Sequence, residues 1–144
     1  MNLLELKELN NNINFISVES VLKIYRDLMS KYDSGGELRD YSLLDSAISG
    51  VKNFVYYHEN TTIYDIAAAY CFYLCKNHAF SDGNKRISFF FFSYFLRTHN
   101  YKIVASHKKC ENTIRSVAKG DIGIKDIAEW LKKNTGDIEW TIII

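Results

Sequence analysis

Two stretches of this chain, residues 62–77 and 84–97, are apolar on nearly every side when wound as helices, and a short polar loop joins them. The first carries Ile63, Ile66, Ala67, Ala68, Ala69, Phe72 and Leu74; the second carries Ile87 and the run Phe89 to Phe92. A helix apolar all round has no face to give to water and belongs in the middle of a bundle. The pair therefore predicts an all-α fold with loop 78–83 anchored at both ends by buried helices. Loops that position reacting groups need such support, because small misplacements are costly.

The rest of the chain fits around this pair. Ser17 can cap a helix over 18–31, with Val18, Val21, Leu22, Tyr25 and Leu28 on one face. Asp33-Ser34-Gly35-Gly36 is a stop and turn. A second helix is expected over 42–51. Residues 53–62 read differently: Phe54, Val55, Tyr56 and Tyr57 favour strands and His58-Glu59-Asn60 a turn, which predicts a short hairpin or flap. Tyr101 to Ser106 reads as extended, and weaker helices follow over 107–119 and 124–133. The tail, 138–144, reads as an apolar strand-like segment of unknown role.

Bulk properties narrow the class. At 144 residues the chain fits one domain, 1–144. An aromatic content of 15% points to a core built from Tyr and Phe. A net charge of +1 without a single-sign block argues against a broad nucleic-acid surface. Three cysteines give no disulfide framework. Residues 1–10 are charged and amphipathic, unlike a signal peptide, and no apolar run reaches the roughly 20 residues that span a bilayer. A cytoplasmic protein with no membrane partner is the expectation.

The joining loop reads His78-Ala79-Phe80-Ser81-Asp82-Gly83-Asn84-Lys85-Arg86. A helix N-terminus offers backbone N–H groups to an anion, and a glycine lets the ligand approach. Lys85 and Arg86 add charge, with Arg able to grip phosphate oxygens in bidentate fashion. Asp82 is a hard oxygen ligand suited to Mg2+, and His78 can act as a base near neutral pH. Phe80 is expected to plug into the core. The competing structural account makes Asp82-Gly83-Asn84 a helix cap and the two cations a solvated first turn; cations there oppose the helix dipole, which weighs against it.

This loop resembles the signature of the Fic/Doc family, His-x-Phe-x-(Asp/Glu)-Gly-Asn-(Gly/Lys)-Arg, and Lys85 makes it most similar to the death-on-curing (Doc) toxins. The similarity extends to Gly36-Glu37-Leu38-Arg39-Asp40 and to Asp65-Ile66-Ala67-Ala68-Ala69-Tyr70, covering about residues 15–133. It implies a helical bundle with a small flap hairpin, here 53–62, clamping a target segment by strand addition. It implies His78 as the base that takes a hydroxyl proton, Asp82 as the Mg2+ holder, and Gly83, Asn84, Lys85 and Arg86 as the nucleotide-binding groups. The second Arg of the Fic nucleotidyltransferases is Phe89 here, and their inhibitory Ser/Thr-x-x-x-Glu-Gly/Asn motif is missing; Thr135 to Trp140 fails it at the last position.

The resemblance thus implies a kinase toxin that transfers the terminal phosphate of ATP to a Ser or Thr, with a translation elongation factor as the family's known target and a small cognate antitoxin as restraint. An AMP-transferase using the same residues is the rival reading, and a catalytically silent partner-binding domain is a second.

Other clusters read as structural. Cys71, Cys75 and His78 share a helical face, but buried free cysteine is common in apolar helices and no fourth zinc ligand is near. Arg39 and Asp40 read as an ion pair at a helix start rather than a wall of the active site. His58, His99, His107, Lys108 and Lys109 read as surface residues, and Phe89 to Phe92 as core.

Overall fold

A computed structural model describes residues 15–32 and 35–137. Segments 1–14 and 138–144, which hold the amphipathic N-terminus and the apolar tail, and the Asp33-Ser34 part of the expected turn lie outside the described residues.

Six helices are described: α1 (Val18–Met29), α2 (Tyr41–Tyr57), α3 (Ile63–Lys76), α4 (Asn84–Thr98), α5 (His107–Lys119) and α6 (Ile124–Lys133). The buried helix α3 is the hub, packing against α2, α4, α5 and α6. Ala67, Ala68 and Ala69 on this helix are wholly enclosed, and so is Tyr70. Small side chains at its centre let neighbouring helices approach closely, while Tyr70 fills the space toward Phe91 and Phe95 of α4.

Helix starts follow local chemistry. The Ser17 hydroxyl accepts the Ser20 N–H at 3.1 Å. Thr62 and Asp65 form a reciprocal capping box at the start of α3, with N–H to oxygen distances of 3.2 and 2.8 Å. The Asp40 carboxylate caps α2 through the Ser42 and Leu43 N–H groups. The only strands among the described residues, β1 (Tyr101–Ile103) and β2 (Thr135–Asp137), pair antiparallel, with Lys102 opposite Gly136.

The expected hairpin over 53–62 does not form; α2 continues through Tyr57. Leu44, Ala47, Ile48, Val51 and Val55 are buried at helical spacing, so the apolar stripe carries the helix past residues whose local preference is for strand. The helix stops where the His58 backbone and ring Nδ1 both contact the Phe54 carbonyl, with the imidazole stacked 4.1 Å from the Phe54 ring.

No helix among the described residues is long and apolar enough to cross a membrane.

Candidate active site

The segment that does lie along the motif is 37–39, upstream of α2. The Ser81 N–H donates to the Glu37 carbonyl at 2.9 Å, and the Arg39 N–H donates to the Ala79 carbonyl at 2.8 Å. Leu38 faces Phe80 in an antiparallel bridge. These main-chain hydrogen bonds template the loop from outside.

From inside, α1 holds it. Phe80 is buried, its ring stacked on Tyr25 with centroids 3.7 Å apart. The Tyr25 hydroxyl donates to the Asp82 carbonyl at 2.6 Å. Burial, with the Asp82 carboxylate behind it, raises the Tyr25 pKa and keeps this donor protonated. Gly83 sits at φ +81° against Met29, where an added Cβ would lie 2.6 Å from the Met29 sulfur. Only glycine satisfies both the backbone angle and the approach. Gly36 is equally confined, because a Cβ there would collide with the Tyr25 hydroxyl.

His78 also stands in the left-handed region, at φ +50°. That conformation costs an L-residue about 1–2 kcal/mol, so something must hold it. The Arg39 guanidinium does, donating to the His78 carbonyl from Nη2 at 2.7 Å and from Nε at 3.2 Å. The expected ion pair between Arg39 and Asp40 gives way to this division: Asp40 caps the helix and Arg39 reaches the loop. The resemblance included the Gly36 to Asp40 segment but not this contact, which joins residues 39 positions apart.

His78, Ser81, Asp82, Gly83, Asn84, Lys85 and Arg86 surround one cavity of about 450 Å3, with Cys75 and Ala118 at its back. His78, Asp82, Lys85 and Arg86 are exposed to it, whereas Gly83 is buried. The helix-cap account of Asp82 to Asn84 holds in part: Gly83 is the N-cap of α4, but no side chain makes a capping hydrogen bond to it. The Asn84 amide instead bonds both ways with the Phe80 backbone, at 2.8 and 3.2 Å, so its side chain shapes the loop. The N–H groups of Asn84, Lys85 and Arg86, the first turn of α4, have no acceptor within the helix by construction. Asp82 Oδ1 accepts the Gly83 N–H at 2.8 Å, and Oδ2 lies 3.9 Å from the Arg86 guanidinium. Arg86 is also set over the Tyr32 ring, 4.0 Å from its centroid.

Cys71 and Cys75 are buried while His78 is exposed, and burial pushes the Cys71 thiol up to about 12. Such a thiol stays neutral and packs. Of the Phe run, Phe91 and Phe92 are core, but Phe89 and Phe90 are half-buried and border a second cavity that His107 also lines.

A model of the Fic/DOC family matches residues 15–96. The chain is similar to "Protein kinase doc" of Escherichia phage P1, with 26% identity over 124 residues, 86% of this chain and 98% of that protein. It is also similar to "Toxin Doc" of Mycolicibacterium smegmatis, with 35% identity over 99 residues, 65% of this chain and 76% of that protein.

Proposed function

The chain belongs to the Fic/Doc family, and from that premise we propose that it is a Doc-type toxin kinase moving the terminal phosphoryl group of ATP to a Ser or Thr hydroxyl of an essential protein. The observation that carries this reading is the single cavity in which the His78 imidazole, the Asp82 carboxylate and the Lys85 and Arg86 cations converge.

In the proposed step the target hydroxyl oxygen attacks the γ-phosphorus and His78 takes its proton. The bond to the bridging oxygen breaks and ADP leaves. Lys85 and Arg86 offset the charge on the transferring and leaving phosphates. The Asp82 carboxylate, exposed and 3.9 Å from the Arg86 guanidinium, suits Mg2+, which needs only one or two carboxylates when phosphate oxygens complete its ligands. The bound ion would neutralise phosphate charge. Arg39 keeps the His78 backbone in place throughout.

Transfer of the terminal phosphate rather than AMP is supported by two side chains. Lys85 fills the position where glycine would leave the anion nest open, and Phe89 presents an aromatic ring where the nucleotidyltransferases carry their second Arg. The name of the phage relative, a protein kinase, points the same way. By the same kinship the reading includes a small antitoxin, and an elongation factor is the first target to try.

The test is incubation of the purified chain with γ- or α-labelled ATP and a cell extract. Label is expected on a protein band from the γ position alone. Label from the α position alone would replace the kinase reading with AMP transfer and leave His78 and Asp82 in their roles.

A further inference from the structure

Lys85 and Arg86 border two cavities. Beyond them from His78, a second cavity of about 550 Å3 opens between α1, α4 and α5. It runs along α4 from Lys85 to Ser93, about 12 Å at the helical rise. That volume is ordinary for a small-molecule site, and the lining has the usual character of one, apolar with a few polar groups converging on it.

Its walls divide by chemistry. Phe89 and Phe90 of α4 and Ile114 of α5 make an apolar floor. The Phe89 ring lies 5.8 Å from the His107 imidazole and tilted 54° to it, so two π-systems meet at an angle along the space. On the rim, Arg115 adds a third cation facing the same cavity as Lys85 and Arg86, and Glu111 holds it at 2.8 Å. The Glu111 carboxylate is also an acceptor placed where sugar hydroxyls could donate.

We propose that this cavity receives the nucleoside end of the phosphoryl donor, with the base against Phe89 and His107 and the phosphates running past Lys85 and Arg86 toward His78. The inference rests on the reading that a nucleoside triphosphate is the donor. Continuity decides the occupant: the cations that close one cavity open the other, so a phosphate chain laid on them leads out of the polar space into the aromatic one. His107, Glu111 and Arg115 of α5 complete a lining whose other residues, from Leu28 to Ser93, lie within the span matched by the family model.

The test is calorimetry on the full chain with Mg2+, comparing ATP with inorganic tripolyphosphate, which has the phosphates and no base. Two variants are used: His107→Ala, at an exposed residue whose loss leaves the fold intact, and Ser93→Trp, which fills the far end of the cavity. The wild type is expected to prefer ATP by about tenfold or more, His107→Ala to lose about fivefold or more for ATP, and both variants to hold tripolyphosphate within about twofold, as base–aromatic stacking energies suggest. An ATP preference that survives in both variants overturns the proposal, as does a wild type that binds the two ligands equally. If the variants instead lose a partner protein's peptide while ATP binding is unchanged, the cavity is a protein-docking site and the proposal is wrong. The direction of transfer is read separately, from labelled ATP on the wild type, so the kinase reading and the nucleoside compartment can fail independently.

Discussion

The two cavities share the wall formed by Lys85 and Arg86 but are assembled in opposite ways. The polar one takes its chemistry from one contiguous stretch, 78–86. The aromatic one draws on α1, α4 and α5, from Leu28 to Arg115. A contiguous site carries its spacing in the sequence, so residue type and order reveal it. A site assembled from three helices exists only once they pack, and its members look like ordinary core or surface residues one at a time. The contrast also separates roles: groups that move protons and offset charge lie on the braced loop, and groups that select the ligand would lie on the surrounding helices.

Phe80→Ala should have the largest effect, because the ring is the plug under the shared wall. Removing a buried Phe costs about 3–5 kcal/mol, on the order of a thousandfold in the folding equilibrium. Urea denaturation should show that loss, together with weaker binding of both ATP and tripolyphosphate. A change below about 1 kcal/mol would mean that the loop is braced by the 37–39 pairing alone.

His78→Ala should separate the cavities. Label transfer is expected to fall about a hundredfold or more, the usual scale for a general base, with an unchanged melting temperature and unchanged ATP affinity. Comparable transfer by the folded variant would remove His78 from the mechanism.

The loop that lines the polar cavity was legible in the sequence, though Cys75 and Ala118 beside it were not, and the helices from 62 to 133 were legible nearly to their ends. Periodicity and caps are local, and Thr62, Gly83 and the apolar faces of α3 and α4 announce themselves. What stayed hidden depended on partners far along the chain. Residues 53–57 look like strand until Val51 and Val55 are seen to extend the buried stripe of α2; that spacing was the available signal. Arg39 looks like half of an ion pair until the fold brings it to the His78 carbonyl. His107 looks solvated, and Phe89 looks like core, until α5 sets them together.

Arg39→Ala should have the next effect. Its side chain is exposed, so stability should change by less than about 0.5 kcal/mol. Release of the His78 carbonyl loosens a strained backbone, and a misplaced base is expected to lower kcat about tenfold. The KM for ATP should hold, and Arg39→Lys, which can still donate one hydrogen bond, should recover part of the rate. A raised KM with normal kcat would show that Arg39 meets the substrate rather than positioning His78.

The smallest effect is expected at Tyr32, and it locates the boundary between the cavities. Its ring lies under the Arg86 guanidinium, whose other close approach among the described residues is the long 3.9 Å one to Asp82. A cation–π contact at an exposed site contributes about 0.5–1 kcal/mol. Tyr32→Leu removes the ring's electrostatic hold while keeping apolar bulk, so Arg86 must be ordered anew each time a phosphate binds. The expected result is a loss of about two- to fivefold in affinity, the same contact energy expressed as a binding constant. That loss should be equal for ATP and for tripolyphosphate, because Tyr32 acts through a phosphate-binding cation. A loss confined to ATP would mean that the Tyr32 ring touches the nucleoside itself. The boundary between phosphate and base would then lie on the α1 side of Arg86 instead of at Phe89.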